Sequence, residues 1–223
     1  MLFGLFRKET PKEDLKHKNQ ATLENILEKK IPSMALKYAM DLWIDQPFSF
    51  KVTRTRNTCL GNYSFRNGQH QITVNHDLNP YSFLITYIHE VAHQRTLLQY
   101  MGKRKRPLPH GQEWKNNFKQ LMAPVLNNYV FPPDVLKVLS AHMQNPAASS
   151  SKDPLLVKTL ARYSENQNPD KLSLGELKNG SLFHFHNKVY KKLEDRRTRT
   201  LVEATVGKRK YTISSHAEVE QVN

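Results

Sequence analysis

Cysteine is almost missing from this chain of 223 residues, in which Cys59 stands alone. That excludes an internal disulfide framework and any cysteine-rich zinc ribbon. With no motif around it, Cys59 reads as a small packed residue rather than a nucleophile. Long apolar runs are missing too: no stretch approaches the roughly 18 residues that would cross a bilayer. The apolar start Met1–Phe6 is followed at once by Arg7-Lys8 and is too short for a signal-peptide core. A cytoplasmic protein without a membrane partner is therefore expected, and a monomer is the working assumption. Acidic residues are scarce, 20 against 34 basic ones, for a formal charge of +14. So basic a chain implies an anionic partner, with nucleic acid ahead of a membrane surface.

The apolar pattern divides the chain. Leu15, Leu23, Ile26 and Leu27 mark a charged helix over 11–30, and Pro32-Ser33 punctuates before a second helix that runs towards Pro47. From Phe48 the period shortens to two, with strand-like runs at Phe48–Val52, Leu60–Phe65 and His70–Val74. Asn67-Gly68 between the last two is a hairpin signal. Pro80 opens a long helix with Leu84, Ile88, Val91 and Leu98 on its buried face, and Gly102 ends it. A basic loop follows, then a helix beginning near His110 and another beginning at Pro132-Pro133. The small-residue stretch Pro146–Asp153 reads as linker, with one more helix possible at Pro154–Tyr163 and a turn-rich Asn166–Asp170. Beyond Leu172 four runs alternate as strands, at 181–185, 188–193, 200–204 and 210–213. The expected domains are 1–145, a linker over 146–170, and a basic β-rich module over 171–223.

Chemistry concentrates in the long helix, at His89-Glu90-Val91-Ala92-His93. Residues four apart share a helix face, so two imidazoles can serve one ion, and Glu90 sits about 100° around, beside that ion. Two ligands on one turn, a carboxylate next to a bound water and a third ligand from elsewhere describe a zinc hydrolase. The metzincin pattern needs glycine three residues after His93 and histidine six after; Thr96 and Gln99 stand there. Two candidates remain for the third ligand, His110 and Glu113. His110 is favoured, because it stands at the expected helix start with Gly111 permitting close backbone approach. Glu113 would then support the helix N-terminus or accept a hydrogen bond from a ligand. No second oxyanion donor is legible; Tyr81 and His76, near the hairpin–helix junction, read as structural.

These paired motifs, H-E-V-A-H followed by His110-Gly111-x-Glu113-Trp114 after a hairpin ending in Ile72-x-Val74-Asn75, resemble the SprT-like zinc metallopeptidases. The DNA–protein crosslink protease Spartan belongs to that group. The resemblance covers about residues 30–125. It implies a zinc ion held by His89, His93 and His110, with Glu90 as catalytic acid/base and a protein or peptide as substrate. It also implies an α+β, zincin-like (SprT) catalytic domain of helices on a small antiparallel sheet. A small β-barrel-like module at the C-terminus follows it here. Many bacterial members end instead in a cysteine zinc ribbon, so nothing assigned to that ribbon transfers.

The basic residues gather in two places. Lys103, Arg104, Lys105 and Arg106 lie between the second and third histidines, where phosphate contact would bring a DNA-bound substrate to the site. Arg196, Arg197 and Arg199 are the C-terminal counterparts, set among Lys188, Lys191, Lys192 and Lys208–Lys210 and interleaved with Phe183, Phe185, Tyr190 and Tyr211. Basic residues with aromatics on a small β surface suit single-stranded nucleic acid, and at least half of those aromatics read as core. His184 and His186 are placed on one strand face but bring no further ligand for a second metal. The alternative to a peptidase is a nucleic-acid-binding protein whose zinc site is structural or weakly active.

Overall fold

A computed structural model describes residues 11–56, 58–104, 106–147, 153–164, 171–196, 199–215 and 217–222. The chain divides into two compact units, Met1–Glu165 and Asn166–Asn223. No helix among the described residues is long and apolar enough to cross a membrane.

The first unit is mixed α+β. It runs α1 (Pro11–Lys30), α2 (Ser33–Asp45), β1 (Ser49–Thr53), β2 (Gly61–Arg66), β3 (Gln69–Asn75), α3 (Pro80–Tyr100), α4 (Gln112–Met122), a 3₁₀ turn, α5 (Pro133–Gln144) and α6 (Pro154–Ala161). The hairpin forms where Asn67-Gly68 predicts it, with both residues at positive φ (51° and 75°), as a two-residue primed turn requires.

The sheet itself departs from the expectation of antiparallel pairing. Its order is β1-β3-β2, and β1 lies parallel to β3. The connection between β1 and β2, residues 54–60, carries the chain across the sheet, so β3 becomes the central strand and β2 an edge.

Helix α3 starts as its sequence dictates. Asn79 caps it by accepting the Ser82 backbone N–H at 2.9 Å, and Pro80 occupies a first-turn position where no N–H is needed. Phe83, Leu84, Tyr87, Ile88, Val91 and Ala92 are all buried, so α3 is covered on several sides rather than along one stripe. Buried polar groups are satisfied across elements. Tyr87 O–H donates to the Ala39 carbonyl at 2.9 Å, and Asn79 Nδ2 to the Leu160 carbonyl at 2.7 Å, fixing α2 and α6 to the central helix.

The second unit is a six-stranded antiparallel sheet, in the order β4-β9-β5-β6-β7-β8. Its strands are β4 (Lys171–Ser173), β5 (Leu182–Phe185), β6 (Lys188–Asp195), β7 (Arg199–Ala204), β8 (Lys210–Ser214) and β9 (Glu218–Gln221). Consecutive strands β8 and β9 are separated in the sheet by three others. A flat sheet would place them about 19 Å apart, at ~4.8 Å per strand. From Ser214 to Glu218 the chain reaches at most ~14 Å, and Ala217 N–H already turns back onto the Ser214 carbonyl at 3.0 Å. The sheet must therefore curl strongly. No ladder closes it into a barrel among the described residues, so the expected barrel is an open, coiled sheet.

Lys192 corrects another expectation. It is fully buried, donating to the carbonyls of Leu174, Gly175 and Leu177 at 3.1, 3.1 and 2.7 Å and pairing with Asp195 at 2.7 Å. It braces the 3₁₀ turn after β4 and is unavailable to any phosphate. Phe183 is core, and Phe185 and Tyr190 pack against that core, while Tyr211 stays 44% exposed. His186 lies in the β5–β6 turn at φ 47°, so it does not share a strand face with His184.

Candidate metal centre

Three imidazoles converge. His89 and His93 project from successive turns of α3, and His110 comes from the loop that precedes α4. Their Nε2 atoms form a near-equilateral triangle with edges of 3.2, 3.0 and 3.2 Å. A ring nitrogen of a neutral imidazole either carries a hydrogen or offers a lone pair, so three Nε2 atoms cannot all hydrogen-bond to one another. The arrangement instead places three ligand atoms close enough to hold one metal ion. Burial pushes His89 well below the usual histidine range and His93 down to about 4, with repulsion from neighbouring imidazoles adding to it. Both are therefore neutral at ordinary pH, with a lone pair to offer.

His110 differs from its expected placement. Helix α4 begins at Gln112, with Gly111 as its N-cap, and His110 stands before it at φ 56°. That left-handed conformation turns the chain so that the ring faces α3, at a cost that a non-glycine residue bears only when its surroundings hold it. Trp114 supplies those surroundings. Its ring centroid lies 4.7 Å from His110, 4.6 Å from His89 and 5.3 Å from His93, and it is 1% exposed. Gly111 has little room: a Cβ there would meet the Leu108 carbonyl at 3.0 Å and Glu113 Oε2 at 3.2 Å. Glu113 occupies the first turn of α4, outside the group of ligand atoms.

Glu90 is buried at 5% exposure beside the triangle. Burial raises its carboxyl to about 8; the Tyr63 backbone N–H and the nearby Arg56 guanidinium pull the other way. A cavity of about 380 Å³ opens onto Glu90 and all three histidines. Its opposite wall is β2 and the loop before it, including Cys59, Gly61 and Tyr63.

This wall was missed in the sequence. A Cβ on Gly61 would come within 2.7 Å of Glu90 Oε1 and 2.6 Å of Thr86 Cγ2, so β2 lies directly on the turn of α3 that carries His89 and Glu90. A glycine opening a strand is the available signal for such close approach. Two residues on, Tyr63 stacks parallel to His93 (6.5 Å, 4°) and shares a 2.8 Å hydrogen bond with His70 Nδ1. The 54–60 loop is fixed from below by Asn75. Its Oδ1 accepts from Arg56 Nε at 2.8 Å, and its Nδ2 donates to the Arg56 and Cys59 carbonyls at 3.2 and 3.0 Å.

Tyr81 packs against Phe131 and Tyr163, and it and His76 stand outside the cavity wall. Lys103, Arg104 and Arg106 are exposed on the loop before His110, with Lys103 Nζ 4.6 Å above the Tyr100 ring. In the second unit Arg199 donates to Thr212 and Arg196 pairs with Glu194 at 3.3 Å. Lys105 and Arg197 lie outside the described residues. Comparison with protein-family models, with curated proteins and with solved structures returned no match.

Proposed function

We propose that the chain is a zinc-dependent peptidase of the SprT-like type. The observation that carries this reading is the Nε2 triangle with a buried carboxylate beside it. Two nitrogens bound to one tetrahedral zinc at 2.0–2.1 Å stand roughly 3.3–3.4 Å apart, and the triangle's edges are 3.0–3.2 Å. The donor set therefore fits zinc. Three neutral imidazoles also leave the ion its full charge, which offsets the cost of keeping Glu90 ionised in its buried position. When bound, zinc would supply Lewis acidity and lower the pKa of a water to about 7.

The chain's own groups do the rest. Glu90 takes a proton from the attacking water and returns it to the leaving amine. The Tyr63 backbone N–H orients the carboxylate for that transfer. The peptide lies along β2, the edge strand facing the cavity, and pairs with outward backbone groups other than the Tyr63 N–H that Glu90 holds. Strand β3 cannot take this role, because it is paired on both sides. The +14 charge favours proteins carried on nucleic acid as the substrate class.

Purified full-length chain should contain about one zinc per molecule. Glu90→Gln should keep the zinc and lose cleavage of DNA-binding proteins, assayed with and without single- and double-stranded DNA. Full activity in Glu90→Gln would refute the proposal. Strong DNA affinity with no cleavage by the zinc-loaded wild type would favour the nucleic-acid-binding alternative.

A further inference from the structure

A second cavity, of about 530 Å³, opens on the other side of the histidine pair His93–His110. It shares Tyr63, His93 and His110 with the first, so the two cavities meet at the ligand triangle. Its volume lies within the ~300–1,000 Å³ of ordinary ligand pockets. The wall on the α3 side is Leu97 and Tyr100, the floor is Trp114, and Pro107 and Leu108 close it from the loop. No acidic residue lines it among the described residues, while Lys103 and Arg106 stand at its rim, both exposed.

Strand β2 links the cavities. Gly61, Tyr63 and Phe65 alternate on one face. Gly61 lies against Glu90, Tyr63 stacks over His93, and Phe65 reaches the second cavity. An extended chain paired along this edge advances ~6.8 Å for every second residue. One with its reacting carbonyl at the histidines therefore has the next side chain of that face over the second cavity.

We infer that this cavity is the specificity pocket of the site: it takes a large apolar or aromatic side chain next to the cleaved bond, and Lys103 and Arg106 select an acidic residue beside that side chain. The inference rests on the peptidase reading for its substrate and on the cavity's position and lining for its selectivity. An apolar side chain buried in such a pocket is worth about 10- to 100-fold over serine. Two cations at an exposed rim add about 2- to 5-fold for an acidic neighbour.

Two measurements separate the pocket from the reaction. In the first, the zinc-loaded full chain digests a mixed peptide library, and cut positions are read by mass spectrometry. Phe, Leu or Met should be enriched about tenfold or more over Ser at one fixed position beside the cut. Leu97→Glu should bring that ratio close to one, and Lys103→Gln with Arg106→Gln should remove only the acidic preference. In the second, a fluorescent peptide carrying Phe and its Ser counterpart are titrated into zinc-loaded Glu90→Gln, where the Phe peptide should bind about tenfold more tightly.

Cleavage without side-chain preference, together with equal binding of the two peptides, overturns the pocket and leaves the peptidase standing. Preferential binding with no cleavage by wild type supports the pocket and overturns the peptidase. Binding of neither peptide overturns the pocket. Weaker oligonucleotide binding in the Lys103→Gln, Arg106→Gln variant, with unchanged peptide selectivity, overturns the acidic preference and assigns the rim to phosphate.

Discussion

Gly61→Ala tests the site at its tightest point. The backbone there is not in the left-handed region, so the added methyl meets only neighbours: Thr86 Cγ2 at 2.6 Å, Glu90 Oε1 at 2.7 Å and Glu90 Cγ at 2.9 Å. Ordinary contact begins near 3.4 Å, so the Glu90 carboxylate or strand β2 must retreat by about 0.7 Å. Overpacking of this kind costs about 1–3 kcal/mol. In a chain of this size each kcal/mol lowers Tm by about 2–4 °C. The same displacement falls on Glu90, and if it moves the proton as proposed, a shift of about 1 Å can cost about 100-fold in rate. The histidine triangle is untouched, so zinc content should stay at that of wild type. Thermal unfolding, metal analysis and kcat on one preparation distinguish these effects, with Asn62→Ala, one residue along on an exposed position, as the control. A Gly61→Ala protein with wild-type Tm and wild-type kcat would refute the placement of β2 against Glu90.

Further outcomes follow from other parts of the molecule. His110→Ala should weaken zinc binding far more than Glu113→Ala, measured by competition with a chromophoric chelator; equal losses would contradict the ligand assignment. Stripping zinc should lower stability by about 2.7 kcal/mol relative to protein held at 100 times the dissociation constant, seen as a shift in denaturant midpoint. Asn75→Ala removes hydrogen bonds to Arg56 and Cys59 from a 1% exposed side chain. It should cost about 2–4 kcal/mol by urea unfolding, and a loss under 0.5 kcal/mol would show that the 54–60 loop needs no such brace. Lys192→Met keeps the bulk but leaves three carbonyls unpaired, and hydrogen exchange should report about 2–4 kcal/mol of lost protection in the second unit. Burial raises the Asp195 carboxyl, but hydrogen bonds from Lys192 and Thr200 outweigh it and hold it below its ordinary value. That stabilisation is present above the unfolded pKa near 3.9 and is lost as pH falls through the folded value. Asp195→Asn should therefore flatten the loss of second-unit stability in acid.

Local signals carried the elements, and tertiary packing decided what they could not. The Asn67-Gly68 turn, the Pro80 helix start and the H-E-x-x-H spacing are each short-range, and each is found where the residues place it. The parallel pairing of β1 with β3 has no local signal, because it depends on where the seven-residue connection from Arg54 to Leu60 returns the chain. Strands β4 and β9 are three and four residues long and pair only with partners far along the chain, so no window showed them. Lys192 read as surface because lysine usually is; its burial becomes legible only once three carbonyls surround it. Gly61 and Tyr63 carry no local signal of their role, since what matters is the helix they face.

The two halves of the ligand set obey different rules. His89 and His93 are fixed by the rise of one helix, and a single inserted residue between them would carry one imidazole about 100° away. His110 is held at the end of a loop 17 residues beyond His93. Closing a loop twice as long costs only about 0.6 kcal/mol more, a factor of about 3 in affinity. Segment 101–109 is therefore free to lengthen, shorten or change composition while the metal chemistry persists. Part of the second cavity's wall comes from that same segment, so on the proposed peptidase reading substrate preference can drift without disturbing the reaction.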